Sequence, residues 1–259
     1  MTITEAALSA WYQSYFWPFL RIGGLVLAAP LFSAQAVPPR VRLMLALALS
    51  VALAPLLPAT AALASFSAPW WLEIGRELAV GVGLGLLLQL VFEAVMLAGE
   101  LVSYGMGLGF AQLADPLHGA SAPMLGQFYQ VFAALLFFSL GGHLHLVQMV
   151  ADSFQRVPAG QAVPTAASFL AVASGGGSMF AGALQIALPA VAALLLVNIA
   201  FGVMNRSAPA LNMLSIGFPL SLVVGLVLLR LTIAQLQPVL VAMLDQAWAS
   251  AAGWTQDLR

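Results

Sequence analysis

The stretch that decides the fold runs from Glu100 to Tyr129 and reads ELVSYGMGLGFAQLADPLHGASAPMLGQFY. It interrupts an otherwise apolar chain with residues that disfavour a lipid-facing helix, namely Gly105, Gly107, Gly109, Asp115, Pro116, His118, Gly119 and Pro123. Glycine leaves the backbone unrestrained and proline removes a hydrogen-bond donor, so we expect irregular chain between two apolar helices. Irregular backbone at membrane depth is tolerated only where protein buries it or where it lines a wet cavity. The stretch therefore predicts a loop in or over a pore.

The composition is that of a membrane protein or of a subunit buried in a membrane-associated assembly. Of the 259 residues, 62% are hydrophobic and 7% are charged, against about a quarter charged in ordinary soluble domains. All eight cations are arginine and the net charge is -1, which argues against a nucleic-acid-binding surface. The sequence has no cysteine, which excludes disulfides and thiol chemistry.

Six long apolar segments predict an all-α, membrane-type helical fold, with several helices broken by proline or glycine. The segments cover residues 10–32, 43–64, 70–103, 124–150, 179–204 and 211–236. The third exceeds the length of one span, so we expect it to project beyond the bilayer or to be broken. Its start, with Trp70, Trp71, Glu73, Arg76 and Glu77, resembles an aromatic anchor and a polar helix start at an interface.

A second connector predicts a division of the chain into two parts. It contains SGGGS at Ser174–Ser178, which is typical of a flexible joint. We therefore expect an N-terminal helical part over residues 1–173 and a C-terminal helical hairpin over residues 174–259. The hairpin turns at NRSAPALN, Asn205–Asn212, whose tip comprises Asn205, Arg206, Pro209 and Asn212.

Four stretches carry a resemblance to the FliR family of flagellar biosynthesis proteins. They are VPPRVRLMLALALS at 37–50, GELVSYGMGLGFAQLADPLHGASAPMLGQFY at 99–129, FFSLGGHLHLVQMVADSF at 137–154 and LPAVAALLLVNIAFGVMNRSAPALNMLSIGFPLSLVVGLVLL at 188–229. The similarity extends from about Phe16 to Leu236, and the combination of NRSAP with IGFPL is specific.

The resemblance implies a non-enzymatic core subunit of the flagellar protein-export gate in the bacterial inner membrane, within the basal body export apparatus. It implies a helical multi-subunit assembly with FliP-type and FliQ-type subunits, in contact with FlhB- and FlhA-type export components and with unfolded flagellar proteins in transit. It implies no cofactor, no metal and no nucleic acid. The N-terminal part resembles a FliP-type subunit and the hairpin a FliQ-type subunit. The equivalent subunit of a virulence type III secretion system is an alternative.

The resemblance also implies that the loop between the third and fourth segments plugs the pore. Carried onto this sequence, the plug comprises Gly105, Met106, Gly107, Leu108, Gly109, Phe110, Asp115, Pro116, His118 and Gly119. Its apolar side chains would exclude water in the closed state, and its glycines would let it move aside. The alternative is that the glycines only permit close helix packing, as we expect for Gly81 and Gly85.

Charged residues within apolar helices are expensive and are candidates for function. Gln89, Glu93, Met96 and Glu100 share one face of the third helix, because their spacing is four, three and four. Arg21 and Arg230 are plausible partners from other segments. One hypothesis is a proton relay, and the other is that these charges pair within or between subunits and fix how the helices stack.

A stand-alone secondary transporter is the second function class. Its solute site would lie at the helices broken by Pro30, Pro55, Pro189 and Pro219. Three further sites are disfavoured. His143 and His145 point apart on a helix and lack nearby ligands, the alternating glycines lack the strand and lysine of a nucleotide loop, and Gly119-Ala120-Ser121 matches an intramembrane protease loop only faintly.

Overall fold

The computed structural model describes residues 5–33, 37–58, 63–109, 124–161, 164–207 and 213–258. Every regular element among them is helical, which confirms the all-α prediction. The helices are α1 (Glu5–Ala28), α2 (Pro30–Ser33), α3 (Pro39–Leu53) with a 3-10 turn at Ala54–Leu56, α4 (Ala68–Gly105), α5 (Met124–Ser139), α6 (Gly142–Arg156), α7 (Ala166–Ser207) and α8 (Met213–Gln256).

Helix α4 is a single helix of 38 residues. The third predicted segment is therefore not broken, and the remaining expectation is that it projects beyond the bilayer. It begins at a serine cap, because the backbone N–H of Trp70 donates to Oγ of Ser67 at 3.4 Å. Pro69 lies in the first turn, where no amide donor is needed. At 1.5 Å per residue the helix is about 57 Å long, well over the roughly 30 Å of a bilayer core.

The fourth predicted segment, residues 124–150, is divided into two helices, α5 and α6. Helices α5 and α6 meet at a bend of 70°. Gly141 lies between them with φ +73°, a left-handed conformation that glycine adopts without steric cost. The backbone N–H of Leu144 donates to the Gly141 carbonyl at 2.9 Å, so α6 starts immediately after the bend.

The residues Ser174–Ser178, predicted as a flexible joint, are helical and lie inside α7. The boundary between two compact units of the chain falls within this run, between Gly176 and Gly177. Each glycine costs a helix about 1 kcal/mol relative to alanine, but strong helix formers stand on both sides of the run. Packing helps too, since a Cβ on Gly175 would lie 2.8 Å from Cδ1 of Leu90 on α4. The absent side chains thus allow α7 to approach α4 closely.

Helices α7 and α8 contain 42 and 44 residues and run antiparallel. Gly182 on α7 packs against Met243 on α8. Nearer the ends of the pair, Nε1 of Trp254 donates to the Ser168 carbonyl at 2.9 Å. The predicted sixth segment and the tail that follows it therefore form one helix, with Pro219 and Pro238 inside it.

Contacts divide the chain into two compact units. Unit 1 comprises Met1–Leu90, Leu140–Gly176 and Leu244–Arg259, and unit 2 comprises Val91–Ser139 and Gly177–Met243. The division of the chain into parts resembling FliP-type and FliQ-type subunits concerns likeness to other proteins and stays a prediction.

Among the described residues, four helices are long and apolar enough to cross a membrane, or five if the bent α5–α6 pair counts as one span. A count of six long apolar helices is therefore not confirmed within the described residues. Helix α1 corresponds to the first predicted segment, but Gln13, Ser14 and Arg21 reduce its hydropathy. The membrane character of the chain rests on α3 with its 3-10 turn, α4, α7 and α8.

Candidate gate at the carboxyl end of α4

The predicted plug begins where α4 ends, in a two-bond helix cap. The N–H of Gly107 donates to the Tyr104 carbonyl at 3.0 Å, and the N–H of Leu108 donates to the Ser103 carbonyl at 3.1 Å. Gly107 has φ +81°. These two bonds around a left-handed glycine form a Schellman motif, which satisfies carbonyl groups that a helix end leaves open. Gly107 is required here because a side chain would strain this conformation.

A polar side chain from α7 closes the same helix end. Nδ2 of Asn198 donates to the Gly105 carbonyl at 3.1 Å. Oγ of Ser221 on α8 donates to Oδ1 of Asn198 at 3.4 Å. A Cβ on Gly105 would lie 3.1 Å from Cδ1 of Leu194, so α4 and α7 approach closely at this point. Helices α4, α7 and α8 are thus linked through one asparagine.

Met106 fixes the end of α4 against α8. Its side chain is 1% exposed. It occupies the space in which a side chain on Gly225 would stand, since a Cβ there would lie 2.6 Å from Sδ of Met106. We call Gly105, Met106 and Gly107 the loop base. All three are held by packing or by the helix cap, so the chain leaves α4 from a fixed point.

Helix α5 returns alongside α4 through a glycine pair. A Cβ on Gly99 would lie 2.8 Å from Cα of Gly126, and one on Gly126 would lie 3.1 Å from Cγ of Glu100. The hydroxyl groups of Tyr129 and Thr232, both buried, are 2.5 Å apart and join α5 to α8. The two ends of the intervening segment are therefore both fixed within unit 2.

The structure describes only half of the predicted plug. Leu108 and Gly109 are half-buried beyond the loop base. The other five members of the predicted plug lie outside the described residues: Phe110, Asp115, Pro116, His118 and Gly119. Two members of the predicted hairpin tip, Pro209 and Asn212, also lie outside them. Asn205 and Arg206 are exposed at the end of α7.

The packing interpretation of glycine is confirmed at Gly81 and Gly85. A Cβ on Gly81 would lie 2.9 Å from the carbonyl carbon of Arg21, and one on Gly85 would lie 2.7 Å from Cβ of Ala28. Helices α1 and α4 therefore meet backbone to backbone, as at small-residue contacts in membrane proteins.

A buried ion pair lies beside this contact. Nε and Nη2 of Arg21 donate to the two carboxylate oxygens of Glu77 at 2.7 and 2.8 Å, and both side chains are fully buried. Nη1 donates to Oγ of Ser153 at 3.1 Å, and Nη2 also donates to the Val157 carbonyl at 3.0 Å. The guanidinium carbon lies 3.9 Å from the centre of the Phe154 ring.

Glu73 extends the buried charge by one helical turn. It is 1% exposed, accepts a hydrogen bond of 2.5 Å from the N–H of Gly160 and lies 3.5 Å from the partly exposed guanidinium of Arg76. Glu73 and Glu77 thus lie near the start of α4, as predicted, with both side chains buried within the chain, and their location at a membrane interface stays a prediction. The sequence did contain a sign that the two carboxylates lie together, because a spacing of four residues places both on one face of α4.

The other predicted charges occupy different settings. Glu93 and Glu100 are half-buried on α4, with Gln89 and Met96 on the same face, and Arg230 is exposed on α8. The structure pairs Arg21 with Glu77, which the sequence analysis did not name as its partner. The assignment of Glu93, Glu100 and Arg230 to charge pairs stays a prediction.

The two histidines of α6, His143 and His145, have different surroundings. His145 stacks on Trp248 with ring centres 6.2 Å apart, and His143 is half-buried. In the part of the chain that the structure describes, no group of three or more His, Cys, Asp or Glu side chains is arranged to hold a metal ion.

Comparison with known proteins gives one consistent result. The family of bacterial export proteins, family 1, matches residues 12–247. The chain is 38% identical over 239 residues to the flagellar biosynthetic protein FliR of Escherichia coli K12, covering 92% of this chain and 91% of that protein. The flagellar biosynthetic protein FliR of Pectobacterium carotovorum is 38% identical over 238 residues, again covering 92% of this chain and 91% of that protein.

A more distant relative, the flagellar biosynthetic protein FliR of Bacillus subtilis, is 31% identical over 221 residues, covering 84% of this chain and 85% of that protein. The matched region contains the loop base and both residues of the buried ion pair, Arg21 and Glu77. The family resemblance of the four stretches is thus confirmed, and the chain belongs to the bacterial export proteins, family 1, as a FliR-type component of flagellar protein export.

Proposed function

We propose that this chain is a core structural and gating subunit of the flagellar type III export channel, in which the segment following the loop base closes the pore. The observation that carries the proposal is the fixed end of α4. Gly107 caps the helix, Asn198 holds the Gly105 carbonyl, and Met106 fills the space beside Gly225. A segment that closes a pore needs such a fixed point, because it must return to the same position after each passage.

The chemistry of the closing segment suits a non-selective pore. An export channel for unfolded chains must exclude water and ions at rest, yet it must open without recognising particular side chains. Leu108 and Phe110 provide apolar surface, and Gly109 and Gly119 leave the backbone free to rearrange. Polar recognition is not required of such a segment.

The exposed faces of the long helices support assembly with FliP-type and FliQ-type subunits. Only 22% of each of α7 and α8 is buried inside the chain over the most apolar window, against 61% of α4. Apolar patches of this extent are covered by lipid or by another protein. The exposed Arg206 near the hairpin tip would then contact a partner or the cytoplasmic side.

The test is a loop replacement in the assembled complex. The chain is co-expressed with its FliP-type and FliQ-type neighbours, and residues 110–119 are replaced by ten Gly/Ser residues, leaving the loop base intact. We expect native mass spectrometry to give an unchanged complex with one copy of this chain, and vesicles containing it to leak small ions. A matched control replaces the exposed, unpacked Gly202 by serine and should stay tight.

Two results would contradict the proposal. An assembled complex that remains tight after the replacement would remove the pore-closing role. A chain that purifies as a stable monomer and binds neither neighbour would favour a stand-alone transporter, and the search would move to solutes near the helices that contain Pro189 and Pro219.

A further inference from the structure

An apolar cavity lies between α1 and α3, apart from the loop base and the ion pair. Its volume is about 410 Å³, and its lining is almost entirely apolar. Gly23 and Val26 line it from α1, and Leu43 and Ala46 line it from α3. Arg42 is the one charged residue among its lining. An apolar cavity with one guanidinium in its lining suits a ligand that has an apolar chain and an anionic head group.

The position of Arg42 agrees with such a ligand. It lies in the first turn of α3, next to the exposed Arg40. Residues 39–56 form a candidate membrane span, so both arginines lie at an end of that span, where lipid head groups are found. The lining residues of α3 extend from Pro39 to Ala46, about 10 Å along the helix axis.

The surface beside the cavity belongs to a candidate membrane span, which lipid can cover. The adjoining face of α3 is highly exposed and apolar, with Val41 at 51%, Met44 at 71% and Leu47 at 55%. A cavity beside an exposed apolar face of such a span is accessible to acyl chains from the bilayer. We propose that the cavity between α1 and α3 binds one acyl chain of an anionic phospholipid, with its phosphate held by Arg42.

Gly23 provides a sharp test of the cavity. A Cβ at Gly23 would meet nothing within 4 Å, so Gly23→Leu can fill the cavity without moving the backbone. Gly75 on α4 is the matched control, because a Cβ there also meets nothing within 4 Å and the residue does not line the cavity. Both changes replace glycine by leucine within a helix and alter helix propensity equally.

The probe is phosphatidylglycerol with a photoreactive diazirine in its acyl chain, compared with phosphatidylcholine bearing the same chain. Each is mixed with the chain co-purified with its partner subunits, and labelled peptides from residues 19–46 are quantified by mass spectrometry. We expect at least fivefold more labelling by phosphatidylglycerol. Gly23→Leu should reduce it at least fivefold, and Gly75→Leu should change it less than twofold.

The head-group contact is tested separately. Arg42→Gln should abolish the difference between the two lipids, whereas Arg40→Gln, on the exposed neighbour, should retain most of it. If Gly23→Leu proves unstable, Ala46→Leu fills the same cavity from α3. Equal labelling by both lipids, labelling unaffected by a filled cavity, or a cross-link from Gly23→Cys to a partner subunit that replaces the lipid label would each overturn the proposal.

Discussion

Arg21 and Glu77 are 56 residues apart in the chain, yet their side chains form a two-bond ion pair within unit 1 from which solvent is fully excluded. The pair joins α1 to α4 where Gly81 brings the two backbones together. Ser153 and the Val157 carbonyl accept two more guanidinium N–H groups, so the charge is held by α4, by α6 and by the residue that follows α6. This arrangement favours the structural interpretation of the buried charges over a proton relay, since every contact locks Arg21 in place.

Glu77→Gln should lower the free energy of unfolding by about 3–5 kcal/mol, because it leaves the Arg21 charge buried without compensation. The double variant Arg21→Met with Glu77→Met should be more stable than either single variant, since a well-packed apolar pair avoids that penalty. Thermal unfolding in detergent, followed by tryptophan fluorescence, measures both. Arg76→Gln is the control, because its partly exposed pair contributes less than about 1 kcal/mol.

Gly81→Ala should destabilise the chain by about 1–3 kcal/mol, because its methyl group would collide with the Arg21 backbone and separate α1 from α4. Gly75→Ala, six residues earlier on the same helix, meets nothing and should be neutral or stabilising by up to about 1 kcal/mol. Equal Tm values for the two variants would mean that close packing of α1 on α4 is unimportant.

Gly107→Ala should cost about 1–2 kcal/mol, because alanine disfavours the left-handed conformation that closes the Schellman motif. Loss of the cap should also speed amide hydrogen exchange at Gly107 and Leu108, whose N–H groups donate in the motif. Hydrogen exchange with mass spectrometry over residues 100–109 is the measurement. Gly202→Ala, at an open helical position, should leave exchange there unchanged.

Gly225→Leu should displace Met106 and impair motility, because the two side chains would occupy the same space. Met106→Ala in the same chain should restore part of the loss by vacating that space. Swimming-zone diameter and ion leakage of vesicles are the two readouts. Failure of the second change to rescue the first would show that Gly225 matters for a reason other than its contact with Met106.

Arg206→Glu should weaken docking at the exposed hairpin tip and reduce assembly with the partner subunits, while leaving the fold intact. Co-purification of tagged chain with its neighbours measures assembly, and the Tm measures folding. Normal assembly in this variant would count against a role for the tip. Arg40→Glu, on an exposed residue of α3, distinguishes a local effect from a general effect of charge reversal.

Local patterns in the sequence were enough to predict the helical class and the end of α4 near Gly105. Apolar segments long enough to span a membrane satisfy their backbone as helices unless they close a barrel, so α4 and the apolar middle parts of α7 and α8 followed from hydropathy. Gly81 and Gly85 also indicated a close helix contact through their spacing. The bend at Gly141 and the continuous helix over Ser174–Ser178 were not predicted, because a glycine within an apolar segment can either break a helix or permit packing, and only neighbouring side chains decide which.

The sequence by itself therefore determined that this is an α-helical membrane-type export protein, because hydropathy and family motifs are properties of the chain. Only the tertiary structure decided that Arg21 pairs with Glu77, that Asn198 closes the end of α4, and that Met106 rests against Gly225. These contacts join residues 56, 93 and 119 positions apart by the sequence numbering. Their selection depends on how helices pack and which backbones approach, which no local pattern encodes.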